Sequence, residues 1–246
     1  MKKQALIMGM TVRIEIADRF AQGEDINQIF SYFHYIDDKF SPYKRDNEVE
    51  KINLGSLKVE DASIEMKNII DLSEKTKKET NGYFYVFAND RFDPSGIVKG
   101  YAIHQAAKQL YSKGYRNYYV EIGGDIETRG KNADAKWSVG ITNPFEINEV
   151  IKVIYVEDKG VATSGTYARG SHIYDPIRNK KAIDIASLTV IGPNIYEADR
   201  FATAAFAMGE RGVNFIENLK GFEAYMVGND RRATYTSGFE KYTINE

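Results

Sequence analysis

The sequence predicts an α+β fold, a single domain of mixed or antiparallel sheets flanked by helices, and three observations carry that expectation. Apolar residues alternate with polar ones near the N-terminus and again through the second half of the chain, the period of a half-buried strand. Between those stretches they recur at helical spacing, which marks helices with one buried face. The two patterns come in blocks and not in strict alternation, which favours segregated helices and strands over a doubly wound parallel sheet. No repeat at solenoid spacing, low-complexity tract or linker divides the 246 residues, so one domain is expected over residues 1–246.

Val12, Ile14 and Ile16 alternate with Arg13 and Glu15 and predict a strand with one wet face. From Glu24 to Phe40 the positions Ile26, Ile29, Phe30, Phe33, Ile36 and Phe40 keep helical spacing, until SPYKRDN breaks it. A second, more polar helix is expected from about Asp61 to Thr80, stopped by Asn81-Gly82. Gly100 to Tyr111 gives another, entered from the loop FDPSG, with Ala102, Ile103, Ala106, Ala107 and Leu110 on its buried stripe. The β-rich runs NYYVEIGG, KWSVGIT, EVIKVIYVED and SLTVIGP follow, each bounded by glycine, asparagine or proline. An alanine-rich helix over Tyr196 to Met208 and a helical segment near Gly212 to Leu219 precede a tail, Phe222 to Thr243, that reads as two or three closing strands.

Composition removes several functions. The 33 basic and 35 acidic side chains leave a net charge of −2, so no overall positive field exists to hold a nucleic-acid backbone, and nucleic acid is not an expected partner. Cysteine is absent, which excludes disulfides, thiolate metal sites, a cysteine nucleophile and a lipid-bearing cysteine. Any metal must therefore be held by oxygen or imidazole. The opening MKKQALIMGM runs into TVRIEIA without the apolar core and cleavage site of a signal peptide, and no stretch approaches the roughly 20 apolar residues of a membrane span. As written the chain reads as cytoplasmic; trimmed of a leader, it would read the same and be exported.

Four segments carry chemistry. In DPSGIVKGY, Asp93 to Tyr101, Pro94 and Gly96 make a tight turn and Lys99 lies at the start of a helix, where free N–H groups favour an anion such as a diphosphate. The plainer reading is a turn and nothing more, since the glycines do not match a phosphate-binding P-loop. EIGGDI, Glu121 to Ile126, is a strand ending in two glycines and an acid: close backbone approach to a bulky group, or a hairpin corner. VATSGTYARGSHIYDP, Val161 to Pro176, supplies hydroxyls at Thr163, Ser164 and Thr166 and an imidazole at His172, whose ordinary pKa of about 6.5 suits a general base. A Ser164 nucleophile with His172 and Asp175 lacks the G-x-S-x-G elbow of hydrolases. In EADRFATAAFAMG, Glu197 to Gly209, Asp199 and Thr203 stand four apart and share a helix face, an incomplete oxygen site suited to Mg²⁺ or a solvated aspartate beside a back-bonding threonine.

Taken in order, these segments resemble the ApbE family of FAD:protein FMN transferases. The likeness rests on Met8-Gly9-Met10-Thr11, Phe40-Ser41-Pro42-Tyr43, DPSGIVKGY, NYYVEIGGDI, the TSGTY run, the H-I-x-D-P run at His172 to Pro176, and Ala198 to Gly209, and it extends from about Met8 to about Val227. Departures are a chain shorter than is typical of the family, which passes directly from NGYFYVFAND to RFDPSG, and Arg178-Asn179 where the family has T-G.

The resemblance implies roles that the residues alone leave open. Asp93 and Lys99 would contact FAD; the Gly96 backbone carbonyl would join Asp199 and Thr203 around Mg²⁺; Met8, Tyr43, Tyr83, Phe84, Tyr85 and Ile173 would line the flavin site; and His172 would be catalytic. The implied activity attaches FMN through a phosphoester to a threonine or serine of an acceptor flavoprotein and releases AMP, with FAD as substrate and a membrane involved only through the acceptor. Two alternatives remain: a Mg²⁺-dependent FAD pyrophosphatase yielding FMN and AMP, and a non-catalytic FAD-binding protein.

Overall fold

Two hairpin turns of left-handed backbone shape the first half of the sheet. The computed structural model describes residues 1–88, 91–166 and 173–244. Strand β1 (Lys2–Ile7) returns as β2 (Met10–Ile16) through Met8 and Gly9 at φ 57° and 68°, a two-residue turn whose twist matches that of the paired strands. Val12, Ile14 and Ile16 are fully buried, as their alternation predicts. Helix α1 (Gly23–Phe40) then buries Ile26, Ile29, Phe33, Ile36 and Phe40. Helix α2 (Glu48–Asn53), which the sequence pattern does not announce, is capped by the Asn47 side chain accepting the Glu50 N–H, and buries only Val49. Helix α3 (Ile64–Glu79) starts at the Ser63 cap and is closed by Asn81 and Gly82, both at positive φ.

The short hairpin β3 (Phe87–Ala88) and β4 (Arg91–Phe92) leads into α4 (Ser95–Ser112), which begins at Ser95 and not at Gly100. The pattern hid that first turn because proline and glycine read as loop, while Asp93 Oδ1 accepts the Ser95 N–H and starts the helix. Next come β5 (Tyr118–Ile122) and β6 (Asp125–Arg129), joined by Gly123 and Gly124 at φ 58° and 92°. A separate hairpin, β7 (Trp137–Thr142) with β8 (Val150–Val156), precedes β9 (Gly160–Gly165), and the two-residue strands β10 (Tyr174–Asp175) and β11 (Lys180–Lys181) precede β12 (Ile185–Gly192). Helices α5 (Ile195–Ala207) and α6 (Arg211–Glu217) lead to β13 (Glu223–Gly228) and β14 (Ala233–Tyr235), and the expected third closing strand is instead one 3₁₀ turn, Phe239–Tyr242.

Eight strands form one sheet in the order β1-β2-β5-β6-β9-β12-β13-β14, with every neighbouring pair antiparallel. The helices cover one face and the β7–β8 hairpin the other. Alternation along β13 shows both layers: Ala224 and Met226 join the helix-side core, while Tyr225 and Val227 join a second core with Trp137, Ile154 and Phe239. Covered on both faces, β12 is buried at every position, Ser187 and Thr189 included. Among the described residues no helix is long and apolar enough to cross a membrane.

Candidate active site

The site opens where one ladder of the sheet gives out. Strands β6 and β9 pair only at Ile126 with Val161 and at Glu127 with Gly160. Beyond Ile126 the Thr163 N–H is taken by the Asp125 carboxylate, Oδ1 at 3.1 Å. A cavity of about 660 Å³ fills this gap, a size typical of small-ligand sites. All four segments meet in it: Asp93, Ser95, Gly96 and Lys99 from the start of α4; Gly123 and Gly124 from the glycine turn; Thr163, Ser164 and Gly165 from β9; Asp199 and Thr203 from α5. Tyr83, Phe84 and Tyr85 close one side, and Gly140, Thr142 and Ile147 reach in from the tip of the β7–β8 hairpin.

Close helix packing brings the charged groups together. Gly100 lets α4 approach α5, for a Cβ there would stand 2.7 Å from Asp199 Cβ and 3.0 Å from the Ile195 carbonyl. Its N–H donates to Asp199 Oδ2 at 2.8 Å, while Asp199 Oδ1 stands 3.9 Å from Lys99 Nζ. Lys99 also pairs with Asp125 Oδ2. Both aspartates are buried, at 1% exposure for Asp125 and 3% for Asp199. Burial pushes the Asp199 carboxyl up to about 7; the Lys99 ammonium opposes that rise and the Asp125 carboxylate adds to it.

The start of α5, and with it Asp199, is fixed from behind. Asn194 caps the helix by accepting the Glu197 N–H at 3.0 Å, and Glu127, itself paired with His104, accepts the Ile195 N–H at 2.5 Å. Gly160 permits the contact, since a Cβ there would stand 2.1 Å from the Ile195 nitrogen.

The expected site residues fall into three groups. Asp93, Gly96, Lys99, Asp199, Thr203, Tyr83, Phe84, Tyr85 and Ile173 all line the cavity. Met8 and Tyr43 do not: Met8 packs against the helix-side core from the first hairpin turn, and Tyr43 is 82% exposed. His172 lies outside the described residues, although Gly165 and Ile173 on either side of the segment 167–172 line the cavity. Asp125 was visible in the sequence only as the acid after two glycines, and its pairing across the fold with Lys99 left no local trace.

Asp175 does different work. Its Oδ1 accepts the N–H groups of Ile177 and Arg178 at 2.9 and 3.0 Å, and its Oδ2 pairs with the Arg178 guanidinium, which also holds Asp184. Burial raises its pKa, but the hydrogen bonds from Arg178 and Ile177 prevail and hold it below the ordinary value. Asp175 is thus the tie of a turn, with both oxygens engaged.

Among the described residues no group of three or more His, Cys, Asp or Glu side chains stands ready to hold a metal. The oxygen-bearing side chains that line the cavity on α5 are Asp199 and Thr203, with Asp125 behind Lys99, and a Cβ at Gly96 would lie 3.6 Å from the Thr203 methyl. An all-oxygen set with few protein ligands, in which Asp199 Oδ1 stands 3.9 Å from the Lys99 ammonium, fits Mg²⁺, which keeps waters and takes other ligands from phosphate. At the start of α4 Asp93 takes the Ser95 N–H and the Pro94 carbonyl those of Ile97 and Val98, so that of the first four only the Gly96 N–H has no partner among the described residues.

Fold and site together define an α+β protein with a cavity at the start of a helix, lined by Asp93, Lys99, Asp199 and Thr203. A sequence model described as the ApbE family matches residues 87–226, which include Asp93, Lys99, Asp125, Asp199 and Thr203. The chain belongs to the ApbE family. It is 32% identical over 166 residues to the FAD:protein FMN transferase of Haemophilus influenzae, covering 61% of this chain and 48% of that protein. To the protein of the same name from Vibrio cholerae it is 36% identical over 137 residues, covering 51% and 41%. Each match takes in less than half of the curated relative. The crystal structure of the ApbE protein from Thermotoga maritima superposes with a TM-score of 0.88 over 99% of both chains at 22% identity, a likeness of fold.

Proposed function

We propose that the cavity binds FAD and that the protein transfers FMN from it to a threonine or serine of an acceptor flavoprotein, releasing AMP. The carrying observation is the meeting, in one cavity, of the start of α4, Asp199 and the Tyr83–Tyr85 stretch with Lys99, which also pairs with Asp125. The names of the Haemophilus and Vibrio relatives support the same reaction.

In this reading the Lys99 ammonium, with the Gly96 N–H at the start of α4, receives the diphosphate. Asp93 shapes that helix start by accepting the Ser95 N–H. Tyr83 and Tyr85 offer ring faces to the isoalloxazine; the Tyr83 hydroxyl is fixed by Arg211 at 2.5 Å, and Lys77 sits 3.8 Å above the Tyr85 ring. Asp199, Thr203 and the Gly96 carbonyl would hold Mg²⁺. Bound there, the ion supplies positive charge against the diphosphate oxygens and the departing AMP. The acceptor hydroxyl oxygen attacks the FMN-side phosphorus, the bond from that phosphorus to the AMP oxygen breaks, and the hydroxyl proton passes to His172.

The test is incubation of the purified chain with FAD and Mg²⁺, with and without an unmodified acceptor domain whose threonine or serine hydroxyl is free, following AMP by chromatography and acceptor mass by spectrometry. The expected result is a gain of one FMN together with an equal amount of AMP. AMP and free FMN with an unmodified acceptor would replace transfer by FAD hydrolysis, and FAD binding without AMP would leave a binding protein.

A further inference from the structure

Asp199, which lines the cavity, and Asp125, which pairs with Lys99 beside it, are held alike. Each ties one oxygen to a backbone N–H of the opposite wall: Asp125 Oδ1 to Thr163 at 3.1 Å, Asp199 Oδ2 to Gly100 at 2.8 Å. Each turns its other oxygen toward the same ammonium, that of Lys99, in contact with Asp125 Oδ2 and 3.9 Å from Asp199 Oδ1. Two buried carboxylates around one position need positive charge there, since a buried charge is costly unless paired. One ammonium offsets a single negative charge; a divalent cation would offset both.

We propose that Lys99 is an internal counter-ion that stands in the cation position between Asp125 and Asp199, and that it gives way to the divalent ion and turns to the dinucleotide's diphosphate. The inference rests on the reading of the cavity as a metal and FAD site and adds to it an order of events. Geometry permits the exchange. Lys99 lies in the first turns of α4, its side chain is 19% exposed to the cavity, and its four-carbon stem allows the ammonium to swing while the helix stays fixed. Asp125 thereby acquires a role beyond the hairpin: it is the positioning residue that holds Lys99 while no divalent ion is bound.

The test measures Mn²⁺ binding by electron paramagnetic resonance on the full chain without nucleotide, and FAD binding by fluorescence quenching. The variants are Lys99→Met, Lys99→Gln and Asp199→Asn. With the competing ammonium gone, both Lys99 variants are expected to bind Mn²⁺ about ten-fold or more tightly than wild type, because a unit positive charge about 4 Å away no longer opposes the ion. The same variants are expected to bind FAD more weakly, a reversal of sign that a purely structural lysine would not produce. Lys99→Gln, neutral and still able to donate hydrogen bonds to both carboxylates, covers a Lys99→Met variant that does not fold.

If Asp199→Asn abolishes Mn²⁺ binding while neither Lys99 variant tightens it, the counter-ion role is overturned and the metal site stands. Unchanged Mn²⁺ binding in Asp199→Asn would overturn the metal site itself, and the present inference with it. Tighter Mn²⁺ but unchanged FAD affinity would overturn the turn toward the diphosphate.

Discussion

Two buried aspartates with a cation beside each behave in opposite ways. Asp175 receives two backbone N–H groups and a guanidinium within one turn, and its carboxyl is held below the ordinary range. Asp199 receives a single backbone N–H, shares one distant ammonium with Asp125, and is pushed up to about 7. Burial is common to both; the supply of donors differs. A carboxylate whose hydrogen bonds are complete ties the chain to itself, whereas one left short of donors and facing a cavity is available to an added cation.

The sharpest break of this comparison is a matched pair of substitutions. Asp199→Asn is expected to lower Mg²⁺-dependent FAD turnover about 100-fold or more, since several kcal/mol of charge stabilisation depend on the cation, while its melting temperature without metal is unchanged or raised. A stable, fully active Asp199→Asn protein would place the cation elsewhere. Asp175→Asn is expected to do the reverse, costing about 1–3 kcal/mol of stability because buried hydrogen-bonded charge is lost, with activity following the folded fraction. Urea unfolding at neutral pH reads it, and an unaffected midpoint would show the turn to be dispensable.

Gly100→Ala tests the packing that delivers Asp199. A Cβ 2.7 Å from Asp199 Cβ must push α4 and α5 apart, at about 1–3 kcal/mol, and is expected to weaken Mn²⁺ binding as well as stability. Loss of stability with intact metal binding would mean that the helices part without moving the carboxylate.

The smallest effect is in pH. Asp175, with its pKa lowered from 3.8, contributes stability that is present above that value and lost as pH falls through its folded value. Asp199 has the opposite sign: between 3.8 and about 7 the folded protein keeps a proton that the unfolded chain releases, so metal-free stability falls as pH rises across that window. The slope cannot exceed about 1.4 kcal/mol per pH unit for one group. Unfolding of wild type compared with Asp199→Asn from about pH 4 to about pH 7 measures it; a difference that does not vary with pH would remove the raised carboxyl from the description.

Periodicity made most of the scaffold legible. Val12, Ile14 and Ile16, the α1 stripe and the alanine-rich α5 are local patterns that burial on one face imposes. Helix α2 was not legible because it spans six residues, buries only Val49, and depends on a side-chain cap. Strand β9 was obscured by the hydroxyls of Thr163 and Ser164, which sit in a sheet interior; Thr163 bonds the Thr189 hydroxyl directly across from it at 2.8 Å. The cavity's residue types could be read from four short segments. Their meeting could not, because Gly100 and Asp199 are 99 positions apart and are joined only by helix packing. Met8 and Tyr43 show the converse: a motif position does not fix a side chain's place, and neither lines the cavity.

The most direct test of the central claim is a crystal structure of the chain with FAD and Mn²⁺, using anomalous scattering to locate the metal. The expected result is one Mn²⁺ within coordination distance of Asp199 and Thr203, with the FAD diphosphate at the N-terminus of α4 and the Lys99 ammonium moved from Asp125 to that diphosphate. FAD bound outside the cavity, or an anomalous peak remote from Asp199, would contradict it.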